Sequence, residues 1–88
     1  MEIAVYDTYV TKKDGQIMHF DVMVPDGTPR ESVLEFAKAF LSSAGQRGQE
    51  CGADECKFCH IETARPNVEQ SIGRSGYYIF EMEGCREA

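Results

Sequence analysis

The sequence predicts an α+β domain, a two-layer sandwich in which helices lie on one face of a four-stranded, antiparallel-rich sheet. Segments rich in β-branched and aromatic residues alternate with segments of helical periodicity, in the order β-β-α-β-α-β. The first two strands are separated by a short turn, which favours an antiparallel hairpin. Because 88 residues are too few to build two cores, residues 1–88 are predicted to form a single domain.

The hairpin is predicted from residues 3–10, the turn Lys12–Gly15 and the alternating run Ile17–Val24. In this second strand the apolar residues fall on one face: Met18, Phe20, Val22 and Val24. The opposite face carries His19, Asp21 and Met23.

A long helix is predicted to follow, with Thr28 and Glu31 forming a capping box and Pro29 at the first helical position. Gly45 is expected to end it. The apolar stripe that would pack on the sheet consists of Val33, Phe36, Ala37, Phe40, Leu41 and Ala44.

The second half of the chain begins with a polar, glycine-containing loop over Gln46–Glu55. A short strand near His60–Thr63, a short helix over Pro66–Ile72 and a last strand over Tyr77–Met82 are predicted after it.

The net charge of −6, with nine scattered basic residues, argues against nucleic acid and anionic membranes as partners. No apolar run approaches the roughly 20 residues of a membrane span. The chain starts directly in strand-like sequence, so no signal peptide is expected and the predicted location is cytoplasmic. In that compartment thiols stay reduced, so the cysteines are interpreted as free thiols or metal ligands.

The strongest chemical signal is a group of cysteines and a histidine. Cys56 and Cys59 form a Cys-x-x-Cys pair, a spacing that can direct two sulfurs at one tetrahedral zinc ion. Cys85, His60 or Cys51 would complete the site. Since His60 follows Cys59 directly, both can bind one ion only where the strand geometry is interrupted.

Three alternatives stay open for the same residues. Buried structural cysteines that pack as small apolar groups are one. The spacing of Cys51, Cys56 and Cys59, with Cys85 as fourth ligand, also matches a plant-type [2Fe–2S] pattern. A thiol redox role for Cys56 and Cys59 would require a lowered thiolate pKa.

A second candidate group lies on the hairpin. His19 and Asp21 share a face of the second strand and could transfer protons or hold a metal, although a solvated strand face is the favoured interpretation. Asp7 stands among apolar neighbours, so if it is buried it must be hydrogen-bonded or protonated, and a structural role is favoured.

Several segments resemble a family of small bacterial proteins of unknown function (DUF-2024 type). They are residues 5–10, 18–21, 55–60 and 83–85, and the stretch Glu55–His60 is the most specific. Cys51 lies outside the family's patterns, so the resemblance favours Cys56, Cys59, His60 and Cys85 as the metal ligands. It implies no reaction or substrate.

The resulting hypothesis is a small, non-enzymatic cytoplasmic domain that binds zinc through Cys56, Cys59, His60 and Cys85 and acts through contacts with another protein. The alternative is a thiol redox or iron–sulfur electron-transfer protein.

Overall fold

The computed structural model describes residues 1–85, which form one sheet and two helices. The strands are β1 (Glu2–Thr11), β2 (Ile17–Pro25), β3 (Cys56–Thr63) and β4 (Tyr78–Glu83), and the helices are α1 (Arg30–Ser43) and α2 (Pro66–Ser75). All strand pairs are antiparallel, and the order across the sheet is β3-β1-β2-β4. The predicted α+β class and element order are confirmed.

The β1–β2 hairpin has the predicted alternation. It pairs from Ile3 opposite Pro25 to Thr11 opposite Ile17, and Gly15 supplies the positive φ of 89° that the turn needs. The four apolar side chains predicted to share one face of β2 are completely buried: Met18, Phe20, Val22 and Val24.

Helix α1 begins differently from the prediction. The Thr28 hydroxyl donates a hydrogen bond of 2.6 Å to the Pro25 carbonyl, and no side chain caps the helix. The predicted capping box with Glu31 is therefore wrong, because Thr28 closes the preceding turn instead. Gly45 adopts a φ of 79° just after the helix, as expected for its C-terminal end.

The two helices lie on opposite faces of the sheet, in contrast to the predicted arrangement on one face. Val33, Ala37 and Leu41 of α1 belong to a core cluster with Val10, Met18 and Phe20. Val68 and Ile72 of α2 belong to a second cluster with Ile3, Val5 and Met23. Successive strand residues point to opposite faces, so these clusters are on opposite sides. Where β1 begins, both sides of the sheet carry apolar residues, so one helix packs on each side.

We call the two sides the α1 face and the α2 face. Helix α2 covers only the end of its face nearest to Ile3 and Met23. Towards the Gly15 turn the α2 face is open, and Tyr9 and Ile17 are 51% and 53% exposed there. No helix within residues 1–85 is long and apolar enough to cross a membrane.

A bulge interrupts β3. Phe58 lies opposite Tyr6 and His60 lies opposite Val5, so Cys59 is an extra residue without its own position in the β1 ladder. The strand also starts at Cys56, four residues earlier than predicted, because the register with β1 continues on both sides of the bulge.

Candidate metal site on the α2 face

Three side chains capable of binding a metal meet in the middle of the hairpin. Asp7 and Asp21 are direct partners in the β1–β2 register, and His19 lies on the same face one pair further along, opposite Tyr9. Directly opposed residues of antiparallel strands have Cβ atoms about 5 Å apart, so the hairpin register itself brings the two carboxyl groups together.

The imidazole of His19 is held in place from two sides. Its Nε2 atom lies 2.9 Å from Oδ1 of Asp7, and the ring of Tyr9 stacks on it at 4.0 Å between centroids and 12° between planes. The carboxylate accepts the hydrogen bond, so Nε2 carries the proton. A metal ion at this nitrogen would take that proton's place.

The two carboxyl groups have opposite shifts of pKa. The hydrogen bond from His19 is the largest cause that lowers the pKa of Asp7. Burial, followed by the neighbouring carboxylate of Asp7, raises the pKa of Asp21 to about 7. Near neutral pH, Asp21 is therefore protonated in a fraction of the molecules, while Asp7 is ionised.

One carboxyl oxygen atom of Asp21 is buried and unpaired in the described part of the chain. The residue is 8% exposed, and its Oδ1 atom has no hydrogen-bond partner among residues 1–85. A buried carboxylate oxygen without a partner is costly, and such atoms are rare in folded proteins. The side chain was expected to be solvated and is instead buried.

Taken together, Asp7, His19 and Asp21 offer one ligand atom each, all within 4.8 Å of one another. This is the one group of three or more His, Cys, Asp or Glu residues with such spacing in the part of the chain that is described. Imidazole nitrogen and carboxylate oxygen are ligands of zinc and of other divalent transition metals.

A cavity of about 270 Å³ adjoins the site between the sheet and the beginning of α2. Asp21 forms part of its wall, and Arg65 and Asn67 contribute a cation and an amide. The other lining residues are Met23, Glu62, Val68, Tyr78 and Phe80. The unsatisfied carboxyl group therefore stands next to a space large enough for a small molecule.

Comparison with known proteins gives the family. The family model of DUF2024, a domain of unknown function, matches residues 1–82 of the sequence. The chain belongs to this family. The solution NMR structure of protein NE1680 from Nitrosomonas europaea is similar at 49% identity and a TM-score of 0.85, covering 98% of this chain and 100% of that one. No curated protein matches. Membership in DUF2024 confirms the resemblance and brings no established activity with it.

In this DUF2024 chain the cysteine group predicted as a zinc site is divided between different parts of the fold. Cys56 is buried in the core on the α1 face, where the Thr8 hydroxyl donates to its Sγ atom at 3.3 Å. Cys51 lies in the same core. Cys85 follows β4, at the sheet edge opposite to β3, and its thiol donates to the His19 carbonyl.

Cys59 and His60 are the two members that do meet. Both are exposed on β3, and Sγ of Cys59 lies 3.2 Å from Nδ1 of His60. The bulge at Cys59 is what allows neighbouring residues of a strand to approach each other. Within one copy of the chain, the four predicted ligands Cys56, Cys59, His60 and Cys85 are not brought to one point.

The buried thiols have the chemistry of core residues. Burial raises the pKa of the Cys51 thiol to about 11 and also raises the pKa of Cys56.

We expect iodoacetamide to alkylate Cys59 at least roughly tenfold faster than Cys51 or Cys56 in the folded protein. The reason is that iodoacetamide reacts with thiolates, whereas the buried thiols of Cys51 and Cys56 stay protonated and enclosed. Peptide mapping by mass spectrometry after timed alkylation measures the rates. Comparable rates at Cys56 and Cys59 would contradict this and favour a reactive Cys-x-x-Cys pair.

Proposed function

We propose that this chain is a zinc-binding domain that holds the ion through Asp7, His19 and Asp21 on the α2 face. The observation that carries the proposal is the buried Oδ1 atom of Asp21, which has no partner within residues 1–85 and lies beside a second carboxylate. A cation is the partner that would satisfy this atom and at the same time relieve the repulsion between the two carboxylates.

The competitor for the site is a proton. With a pKa of about 7, Asp21 takes up a proton below neutral pH, and the metal must displace that proton. At His19 the ion would take the place of the proton on Nε2, which a neutral imidazole can carry on Nδ1 instead. Zinc affinity is therefore expected to rise with pH up to and beyond neutrality, and zinc binding is expected to release protons.

The mixed ligand set supports zinc as the ion. One imidazole and two carboxylates suit zinc at the ordinary distances of about 2.0–2.2 Å. The stacked ring of Tyr9 and the hairpin register hold the ligands before the metal arrives, which lowers the cost of ordering them. Three protein ligands leave a tetrahedral zinc one further position, which water or a small molecule in the adjoining cavity can fill.

Isothermal titration calorimetry with zinc tests this proposal. It is best done in the Cys59→Ser chain, because an exposed thiol beside His60 would bind zinc as well. We expect one zinc per chain, and we expect Asp7→Asn or Asp21→Asn to weaken binding by at least roughly 100-fold, more than the about 10–100-fold cost of an outer-shell change.

The matched control is Asp26→Asn, which removes the same charge at an exposed position of the following turn. Its zinc affinity should equal that of the parent chain. Equal affinities for Asp21→Asn and Asp26→Asn would place the zinc elsewhere and overturn the proposal. Repeating the titration in two buffers of different ionisation enthalpy counts the protons released.

A cytoplasmic location is also part of this proposal. Cys59 is an exposed free thiol, and such a residue persists in reducing compartments. The thiol of Cys59 would otherwise be open to oxidation or to disulfide exchange.

A further inference from the structure

Strand β3 is an edge of the sheet and carries an exposed apolar surface. In the order β3-β1-β2-β4 it pairs with β1 on one side, and no strand within residues 1–85 pairs with the other side. Phe58 and Ile61 are 50% and 42% exposed. An open edge with exposed apolar residues can pair with a strand of another molecule, and such a surface often marks an interface.

The bulge at Cys59 gives this edge an unusual symmetry. Phe58 and Ile61 are opposite Tyr6 and Ala4, which share a face of β1, so both point to the α1 face. In a regular strand, two residues separated by three positions would point to opposite faces.

Lys57 and Glu62 show the converse arrangement. They are opposite Asp7 and Ile3 of β1, so both point to the α2 face. Residues at equal distances before and after the point between Cys59 and His60 therefore share a face.

This symmetry makes the edge complementary to itself. If two copies of β3 pair antiparallel about a two-fold axis between Cys59 and His60, Lys57 of one copy lies opposite Glu62 of the other. Phe58 then lies opposite Ile61 of the second copy. Opposite charges and apolar pairs directly across a ladder are both favourable, and the same contacts occur twice in a two-fold interface. The acidic Glu81 and Glu83 of β4 offer no such charge complementarity to a second β4.

At the centre of this pairing stand a thiol and an imidazole from each copy. The 3.2 Å between Sγ of Cys59 and Nδ1 of His60 is close to the roughly 3.6 Å that separates a sulfur and a nitrogen bound to one tetrahedral zinc. The other ring nitrogen of His60 lies 2.6 Å from Oε1 of Glu62. A carboxylate that accepts from the second nitrogen is the usual support of a metal-binding histidine.

We propose that two copies of this chain associate through their β3 edges and share one zinc ion, held by Cys59 and His60 of each copy. One copy supplies half of a Cys₂His₂ site, and the second copy completes it. Glu62 serves as a positioning residue that fixes the ring of His60 through Nε2. The proposal is independent of the site at Asp7, His19 and Asp21, since it uses a different strand edge and different ligands.

Sedimentation velocity combined with native mass spectrometry tests it. The Asp21→Asn chain is used so that zinc on the α2 face does not contribute. With zinc we expect a dimer containing one zinc per two chains, and with a chelator we expect at least a roughly tenfold weaker dimer. Cys59→Ser and Phe58→Glu should each abolish the zinc-dependent dimer while keeping the far-UV circular dichroism of the parent. Cys85→Ser, at the opposite sheet edge, is the matched control and should still dimerise.

The variant Glu62→Gln distinguishes a role of Glu62 in positioning the ring of His60 from a role in folding alone. Beyond the loss of the ion pair with Lys57 of the second copy, which Lys57→Gln removes alone, Glu62→Gln should weaken zinc binding at the edge by about 10–100-fold and leave the stoichiometry of one zinc per two chains unchanged. A monomer under all conditions, one zinc per chain at the edge, or a dimer that survives both Cys59→Ser and Phe58→Glu would each overturn the proposal.

Discussion

Relative to the parent, metal-free Asp21→Asn is expected to gain about 2–3 kcal/mol more stability at about pH 8 than at about pH 5. The folded chain holds a proton on Asp21 up to about pH 7, whereas the unfolded chain releases it near 3.8. Between these values the folded state binds more protons, so stability falls as the pH rises. An asparagine amide donates to Asp7 without needing that proton.

The melting temperature in a chelating buffer measures this effect. We expect the melting temperature of Asp21→Asn to exceed that of the parent by roughly 10–20 °C more at about pH 8 than at about pH 5, given the usual relation between free energy and melting temperature for a domain of this size. Asp7 does not contribute to the slope in this range, because its pKa is lowered in the folded chain and it is therefore ionised in both states well above its ordinary pKa of 3.8. Asp26→Asn is the control and should show no such gain; a parent whose stability rises from about pH 5 to about pH 8 would contradict the assignment.

Phe20→Ala is expected to destabilise the fold by about 3–5 kcal/mol. The side chain is completely buried and packs edge-to-face against Phe40 of α1 at 4.8 Å between ring centroids. It also lies between His19 and Asp21 on β2, so this contact anchors the strand that carries two of the proposed zinc ligands. The loss is a large share of the roughly 4–13 kcal/mol expected for 88 residues.

Urea unfolding followed by circular dichroism measures this loss as a lower midpoint at constant slope. Phe80→Ala provides the comparison, since Phe80 is 47% exposed and its removal leaves little cavity. Its cost should stay below about 1 kcal/mol. If both variants lost the same stability, the α1 face would not be the main core.

Local patterns predicted the elements well and their assembly less well. The period of two along β2 and the apolar stripe of α1 each describe one element against one surface, and both hold. The placement of α2 depends on the residues that remain apolar on the other side after α1 has packed. Ile3, Val5 and Met23 are separated along the chain, and their common surface exists only once β1 and β2 have paired.

The candidate site shows the same limit. His19 and Asp21 could be recognised as neighbours on one strand face, yet nothing local in the sequence indicates that Asp7 is the partner of Asp21. A shift of the register by one residue would have placed Asp7 elsewhere. The bulge that joins Cys59 to His60 likewise depends on the pairing of β3 with β1. Of the Cys-x-x-Cys pair, Cys59 is exposed on β3, whereas Cys56 is buried in the core.

We propose above that the buried carboxyl group of Asp21 binds a cation. Carboxyl ¹³C NMR of Asp7 and Asp21 tests this most directly, during a pH titration of the Cys59→Ser chain with and without zinc. Without zinc, Asp21 should titrate near its pKa of about 7 and Asp7 below its ordinary value. With one equivalent of zinc, the titration of Asp21 should move down by at least about two pH units, because the cation favours the ionised form. An Asp21 that titrates as an ordinary aspartate, or whose titration zinc leaves unchanged, would contradict the claim.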